Sequence, residues 1–198
     1  MEEFYNNLTL KIQQAVKKVM SKILQKTDNE TIYAAALVTD SDCTTLFLAV
    51  NTYEYLEKRD LEYLQLMDFH LSEEEQRQLN EGTASLTKWL PDEWGYADSD
   101  DDDGSELFNE ISRLLYEHDE EEDFDDDAYE ENQELFFAAV TSAFQKLKEE
   151  KAFGERTEEI LCFISISDDD RAEEIENESA RQLNSPQLYE PFFNRCIL

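Results

Sequence analysis

Residues 32–52 read IYAAALVTDSDCTTLFLAVNT, and this stretch decides the fold. Thr31–Thr39 and Thr44–Asn51 are runs of β-branched, aromatic and aliphatic residues, with Asp40-Ser41-Asp42 between them as a strong turn signal. The stretch therefore predicts an antiparallel hairpin. A strand with one wet face alternates apolar and polar residues; these runs do not. Both of their faces must be covered, which places the hairpin at the centre of a sheet flanked by helices.

Working outward, the preceding segment has apolar residues at Tyr5, Leu8, Ile12, Ala15, Val16, Val19, Met20 and Ile23, the spacing of one helical face. Its lysines, Lys11, Lys17, Lys18, Lys22 and Lys26, fall mostly elsewhere and offset the acidity of the chain. After the hairpin, Asn51 or Thr52 caps a helix marked by Tyr53, Leu56, Leu61, Leu64 and Met67. Ser72 and Glu75 match a capping box for a short helix that Gly82 ends. A third strand is expected at 86–90, stopped by Pro91, with Pro91-Asp92-Glu93-Trp94 turning into a short helix. Trp89 and Trp94 read as core anchors.

Leu107, Phe108, Ile111, Leu114 and Leu115 form a single-face helical stripe, and Leu135, Phe136, Ala139, Val140, Ala143, Phe144 and Leu147 mark a longer helix. Residues 159–166 end in the clearest single strand of the chain, ILCFISI, followed by a helix from about Arg171 to Leu183. Asn184 and Pro186 end that helix, and the tail at Phe192-Phe193 is expected to fold back on the domain. The fold class is thus α+β: a mostly antiparallel sheet of about four strands (31–39, 44–51, 86–90, 159–166) packed with about five to six helices.

At 198 residues, 40% of them hydrophobic and 12% aromatic, the chain is sized for one well-buried domain over 1–198. Its formal charge is -32, and it is unevenly spread. From Asp92 to Glu131, 20 of 40 residues are Asp or Glu and one, Arg113, is basic. Two bursts stand out: Asp98–Asp103, broken by Ser99, and Asp119–Asp127, broken by Phe124. No core buries so many carboxylates, because an unpaired buried charge costs several kcal/mol or more. They are expected in acidic loops at 97–104 and 119–131, held at the two ends of one core helix. They face water, a cation or a basic partner.

This balance disfavours nucleic acid and anionic membranes as direct partners, since both need neutralising Lys or Arg. It favours a basic protein, steered in over a Debye length of roughly 8–10 Å. Cys43, Cys162 and Cys196 are widely spaced and read as reduced thiols; with neither a leader pattern nor a spanning apolar run, the expected place is the cytoplasm. No motif for nucleophilic catalysis, phosphate cradling or structural zinc is visible, and no cofactor is expected. Ser99, Asp101, Asp103, Gly104 and Glu110 fall at EF-hand-like spacing, yet Ser holds the first ligand place and Glu106 the usually aliphatic eighth.

Four segments together carry a resemblance: the hairpin, KWLPDEWGY (88–96), ILCFISISDDD (160–170) and SARQLNSP (179–186). In this order they resemble the bacterial family called domain of unknown function 4303, over about Thr31 to Pro186. The resemblance implies a mixed α/β domain, without catalytic residues to transfer, of a kind encoded beside polymorphic toxins and similar to immunity proteins.

The leading expectation is a non-enzymatic immunity or inhibitor protein that occludes a cognate basic, nuclease-like toxin. Its contact residues would be Asp98, Asp100, Asp101, Asp102 and Asp103, then Asp119, Glu120, Glu121, Glu122, Asp123, Phe124, Asp125, Asp126, Asp127 and Tyr129. Tyr96, Phe124 and Tyr129 are the aromatics expected to add contact area. Two further readings stand beside it. One is a nucleic-acid mimic directed at a DNA-binding protein. The other is a divalent-metal enzyme built on Asp40, Asp42 and Asp168–Asp170 at strand ends. The plainest reading is that the acidity serves solubility.

Overall fold

The hairpin forms as strands β1 (Ile32–Thr39) and β2 (Phe47–Thr52), paired antiparallel from Val38↔Phe47 to Ile32↔Thr52. A computed structural model describes residues 2–66, 71–97, 105–121 and 126–198, without the side chains of Leu66, Glu121, Asp126 and Asp127. β3 (Tyr96–Ala97) adds antiparallel to β2, and β4 (Leu161–Ile166) adds parallel to β1, giving the order β3-β2-β1-β4. The hairpin strands are the two central ones, as their unbroken apolar runs require.

Seven helices accompany the sheet among the described residues: α1 (Glu2–Lys26), α2 (Tyr53–Leu66), α3 (Glu73–Glu81), α4 (Ser105–Glu121), α5 (Asp126–Glu149), α6 (Ala172–Leu183) and α7 (Pro186–Phe193). α1 buries all eight of the apolar residues its spacing singled out. It packs with α4 and α5 on the face carrying Ala35, Leu37, Leu48, Val50, Cys162 and Ile164. The other face, Ala34, Ala36, Val38, Ala49 and Phe163, is covered by Leu56, Trp94, Ala180 and Phe192. A register shift between Ile32 and Ala34 turns Tyr33 onto this second face.

Caps formed where the sequence put them. Thr52 Oγ1 accepts from Tyr55 N at 3.1 Å. Ser72 and Glu75 make the reciprocal capping box, and Gly82 closes α3 in the left-handed region at φ 68°. Pro91–Glu93 is the short 3₁₀ turn. Gly95 has a steric reason: a Cβ there would sit 2.5 Å from the Tyr55 ring.

Four expectations need correction. Residues 86–90 are not a strand; their polar groups bond side chains and local turns instead of a ladder. Thr87 donates from N and Oγ1 to Asp60, at 3.1 and 2.6 Å, and the Lys88 carbonyl accepts from Tyr33 Oη at 2.7 Å and Trp94 Nε1 at 3.2 Å. The third strand lies later, at Tyr96–Ala97. The helix before Pro186 ends at Leu183 with Asn184 as its cap, but Pro186 also opens a new helix: it is in the first turn of α7, where its missing N–H is no loss. That helix carries Phe192 into the core, fully buried. The expected acidic loop at 119–131 is mostly helical, with 119–121 in the last turn of α4 and 126–131 opening α5. Finally, Leu61 is exposed, so the α2 stripe is only partly a core face. Residue Met67 of that stripe lies outside the described residues.

All three cysteines are free, Cys43 and Cys162 buried and Cys196 exposed. Among the described residues no helix is long and apolar enough to cross a membrane.

Candidate acidic interface

The turn between β1 and β2 and the turn after β4 lie side by side, because Thr39 and Ile166 are paired at the ends of parallel strands. Two acidic sequences therefore leave the same edge of the sheet: Asp40-Ser41-Asp42 and Asp168-Asp169-Asp170. The Ser167 amide donates to the Thr39 carbonyl at 3.0 Å and fixes their spacing.

Each turn is held by its own side chains. Asp40 accepts from the Thr44 amide at 2.7 Å and from the Thr44 and Thr45 hydroxyls, both at 2.9 Å. Cys43, at φ 58°, takes the left-handed conformation that closes the turn. Its thiol is pushed up to about 12 by burial first and the Asp40 charge second. Asp169 accepts from the Arg171 amide at 2.7 Å and the guanidinium at 2.8 Å, which holds its carboxyl below the usual range.

α4 and α5 bring the second burst to this edge. Tyr129 Oη lies 3.4 Å from Asp42 Oδ1, a long hydrogen bond, and accepts from Gln133 Nε2 at 3.1 Å. Gln133 also donates to the Ser41 carbonyl at 3.0 Å and accepts from Arg171 at 2.9 Å, tying α5 to both turns. Asp119, half-buried in the last turn of α4, has its carboxyl raised, by burial first and then by Asp42 and Glu120. His118 opposes that rise.

The described residues thus bring Asp40, Asp42 and Glu120 to bear on Asp119, with His118 opposing, and pair Arg171 with Asp169 in the turn that also carries Asp168 and Asp170. Asp119 and Glu120 also sit at the negative end of the α4 dipole, where acids are disfavoured by roughly 0.3–1 kcal/mol each. Chemically the arrangement offers carboxylate oxygens and a tyrosine edge to a cationic surface. Among the described residues no three His, Cys, Asp or Glu side chains converge to hold a metal ion. The oxygens of Asp40, which the metal-enzyme reading would use, are taken by Thr44 and Thr45.

The rest of the expected contact set falls elsewhere. Asp98 and Asp100–Asp103 lie outside the described residues, as do Glu122, Asp123, Phe124 and Asp125 and the EF-hand-like places 99–104. Glu110, the twelfth place of that pattern, pairs with Lys11 at 2.9 Å. The described residues that bound the first burst are Ala97 and Ser105. Ser105 and Asp119 are at opposite ends of α4, roughly 21 Å apart at 1.5 Å per residue. Tyr96 is corrected: it packs against the core, and its hydroxyl donates to Glu30 at 2.8 Å, so it is no free contact residue.

The sequence reading missed that Asp42 and Gln133 adjoin Tyr129. The turn residues Asp40 and Asp42 were visible, but nothing local linked them to a burst 77 residues downstream of Asp42.

With the fold in place, the segments that carry the resemblance take structural roles in it: central hairpin, second-face anchor, parallel strand and the cap of α6. The family model described as domain of unknown function (DUF4303) matches residues 12–185. The chain belongs to the DUF4303 family. No curated protein and no solved structure matches it. The DUF4303 match includes the sheet, α4, α5 and both acidic turns, so the acidic edge is set on the family scaffold.

Proposed function

We propose that this DUF4303 protein is a non-enzymatic acidic binding domain, an immunity-type inhibitor that covers the basic site of a cognate toxin. The observation that carries the reading is the juxtaposition of Asp119 with Asp42 beside Tyr129. Burial first, and then the Asp42 charge, raise the proton affinity of Asp119, and holding it ionised is a cost to the free protein. A cationic partner relieves that cost, whereas acids serving solubility alone gain by spreading apart. Acids at the wrong end of the α4 dipole support the same reading.

The mechanism is occlusion. Carboxylates at the strand ends steer a basic surface in, and Tyr129, already fixed by Gln133, supplies rigid contact area at low entropic cost. Tyr116, exposed on α4 one turn before Glu120, extends that area.

Co-expression with a basic toxin domain encoded beside the gene tests this. Growth is expected to be rescued and a complex to co-purify, with affinity falling as salt rises. The pair Asp42→Asn and Tyr129→Ala should weaken the complex by about tenfold or more while the chain stays folded. Absence of both rescue and complex, even at low salt, defeats the proposal for that pair.

A further inference from the structure

Lys88 stands out among the charges of the described residues. Its Nζ stands 4.7 Å from the centre of the Trp89 ring, 5.9 Å from Tyr33 and 6.0 Å from Tyr53. Among the described residues, no carboxylate lies within salt-bridge distance of it, in a chain with 49 Asp and Glu. A half-buried ammonium normally finds such a partner, because aromatic faces alone only partly replace its water.

Lys88 lines a cavity of about 230 Å³ between α2, the 82–89 segment and the chain after α7. Ser85 lines the same cavity, and its Oγ is buried with no hydrogen-bond partner. Its backbone is committed: the amide donates to the Cys196 carbonyl at 2.9 Å, and its carbonyl accepts from Leu198 at 3.0 Å. The Lys88 backbone is likewise held, since its carbonyl receives Tyr33 and Trp94. Trp89, Leu56 and Leu79 supply apolar wall.

The other charges set the ligand's valence. Arg195 also lines the cavity, but its guanidinium is spent on Glu176 at 2.9 Å and Asn177 at 2.6 Å. Asp60, anchored by Thr87, faces the cavity as well; its charge acts on Lys88 from beyond salt-bridge distance and repels a second negative charge. That leaves one cation held over aromatic faces without a salt bridge, one hydroxyl without a hydrogen-bond partner, an apolar wall and one carboxylate.

We propose that this cavity is a binding site for a small organic monocarboxylate, its carboxylate on Lys88 and Ser85 and its apolar body against Trp89. The volume limits the ligand to about ten non-hydrogen atoms, since drug-sized ligands need 300 Å³ or more. The site lies among the elements of the second sheet face, not those that carry the acidic edge, and stands independently of the inhibitor reading.

Titration of the full chain with sodium benzoate, benzamide and inorganic phosphate, followed by the Trp89 indole signal in NMR, decides it. Benzoate is expected to shift that signal saturably, with half-saturation at about 1–10 mM. Benzamide and phosphate are expected to bind at least about tenfold more weakly. Ser85→Ala should weaken benzoate about tenfold, the share of one hydrogen bond to a charged group. Asp60→Asn, which keeps the acceptor for Thr87, should strengthen it. Lys88→Met should abolish it, and Ser85→Ala with Asp60→Asn decide the matter if Lys88→Met does not fold. Benzoate binding no better than benzamide, phosphate binding as tight as benzoate, or no saturable shift overturns the proposal.

Discussion

Asp119 shows how one residue joins sequence, fold and pH. Its carboxyl is raised by burial and by Asp42, so the folded chain holds that proton more tightly than the unfolded chain. Stability therefore falls as pH rises through the Asp119 titration. Asp119→Asn should raise unfolding stability at pH 7 by about 0.5 kcal/mol, discounted for its partial exposure. The gain should fade below about pH 4, where the aspartate is protonated in both states. Urea unfolding at the two pH values measures it; a gain equal at both would place the effect in packing and not charge.

At the scale of the element, β4 is the informative case. It is an edge strand, and an uncovered edge invites pairing with another chain. Here side chains on and after α6 occupy the edge. Asn184 accepts from the Cys162 amide at 2.9 Å and donates to its carbonyl at 2.7 Å, while Ser179 receives the Ile164 amide at 2.9 Å. Glu176 receives the Ser165 hydroxyl at 2.7 Å. Asn184→Ala strands both Cys162 groups and is expected to cost about 2–3 kcal/mol in denaturant unfolding. A loss below about 0.5 kcal/mol would mean that water replaces the amide. ILCFISI announced the strand, but an apolar run carries no mark of which neighbour it pairs with. Its parallel place beside β1 and its covered edge depended on a helix that begins only after it.

For the whole molecule the charge of -32 is the governing quantity. Two ion pairs of α1, Lys11 with Glu110 and Lys17 with Glu150, are partly exposed and offset little of it. Repulsion among the acids should therefore dominate the salt response. The melting temperature is expected to rise by several degrees between about 10 mM and 300 mM NaCl, as the Debye length falls from about 30 Å to below 8 Å. A melting temperature indifferent to salt would show that the local pairs already neutralise the field.

What the sequence determined by itself was local and periodic. The eight core residues of α1, the capping box at Ser72 and Glu75, the hairpin and its central position all follow from side-chain spacing and turn chemistry, which act within one element. The tertiary structure decided what depends on contacts between distant segments. It set Thr39 beside Ile166, so that two acidic turns share an edge, and it set Tyr129 against Asp42. It also turned Leu86–Leu90 from an expected strand into a side-chain-bonded segment that presents Lys88 and Trp89 to a cavity. The physical reason is the same throughout: a carboxylate run has a composition but no direction, and only packing of the helices that carry it gives it a surface.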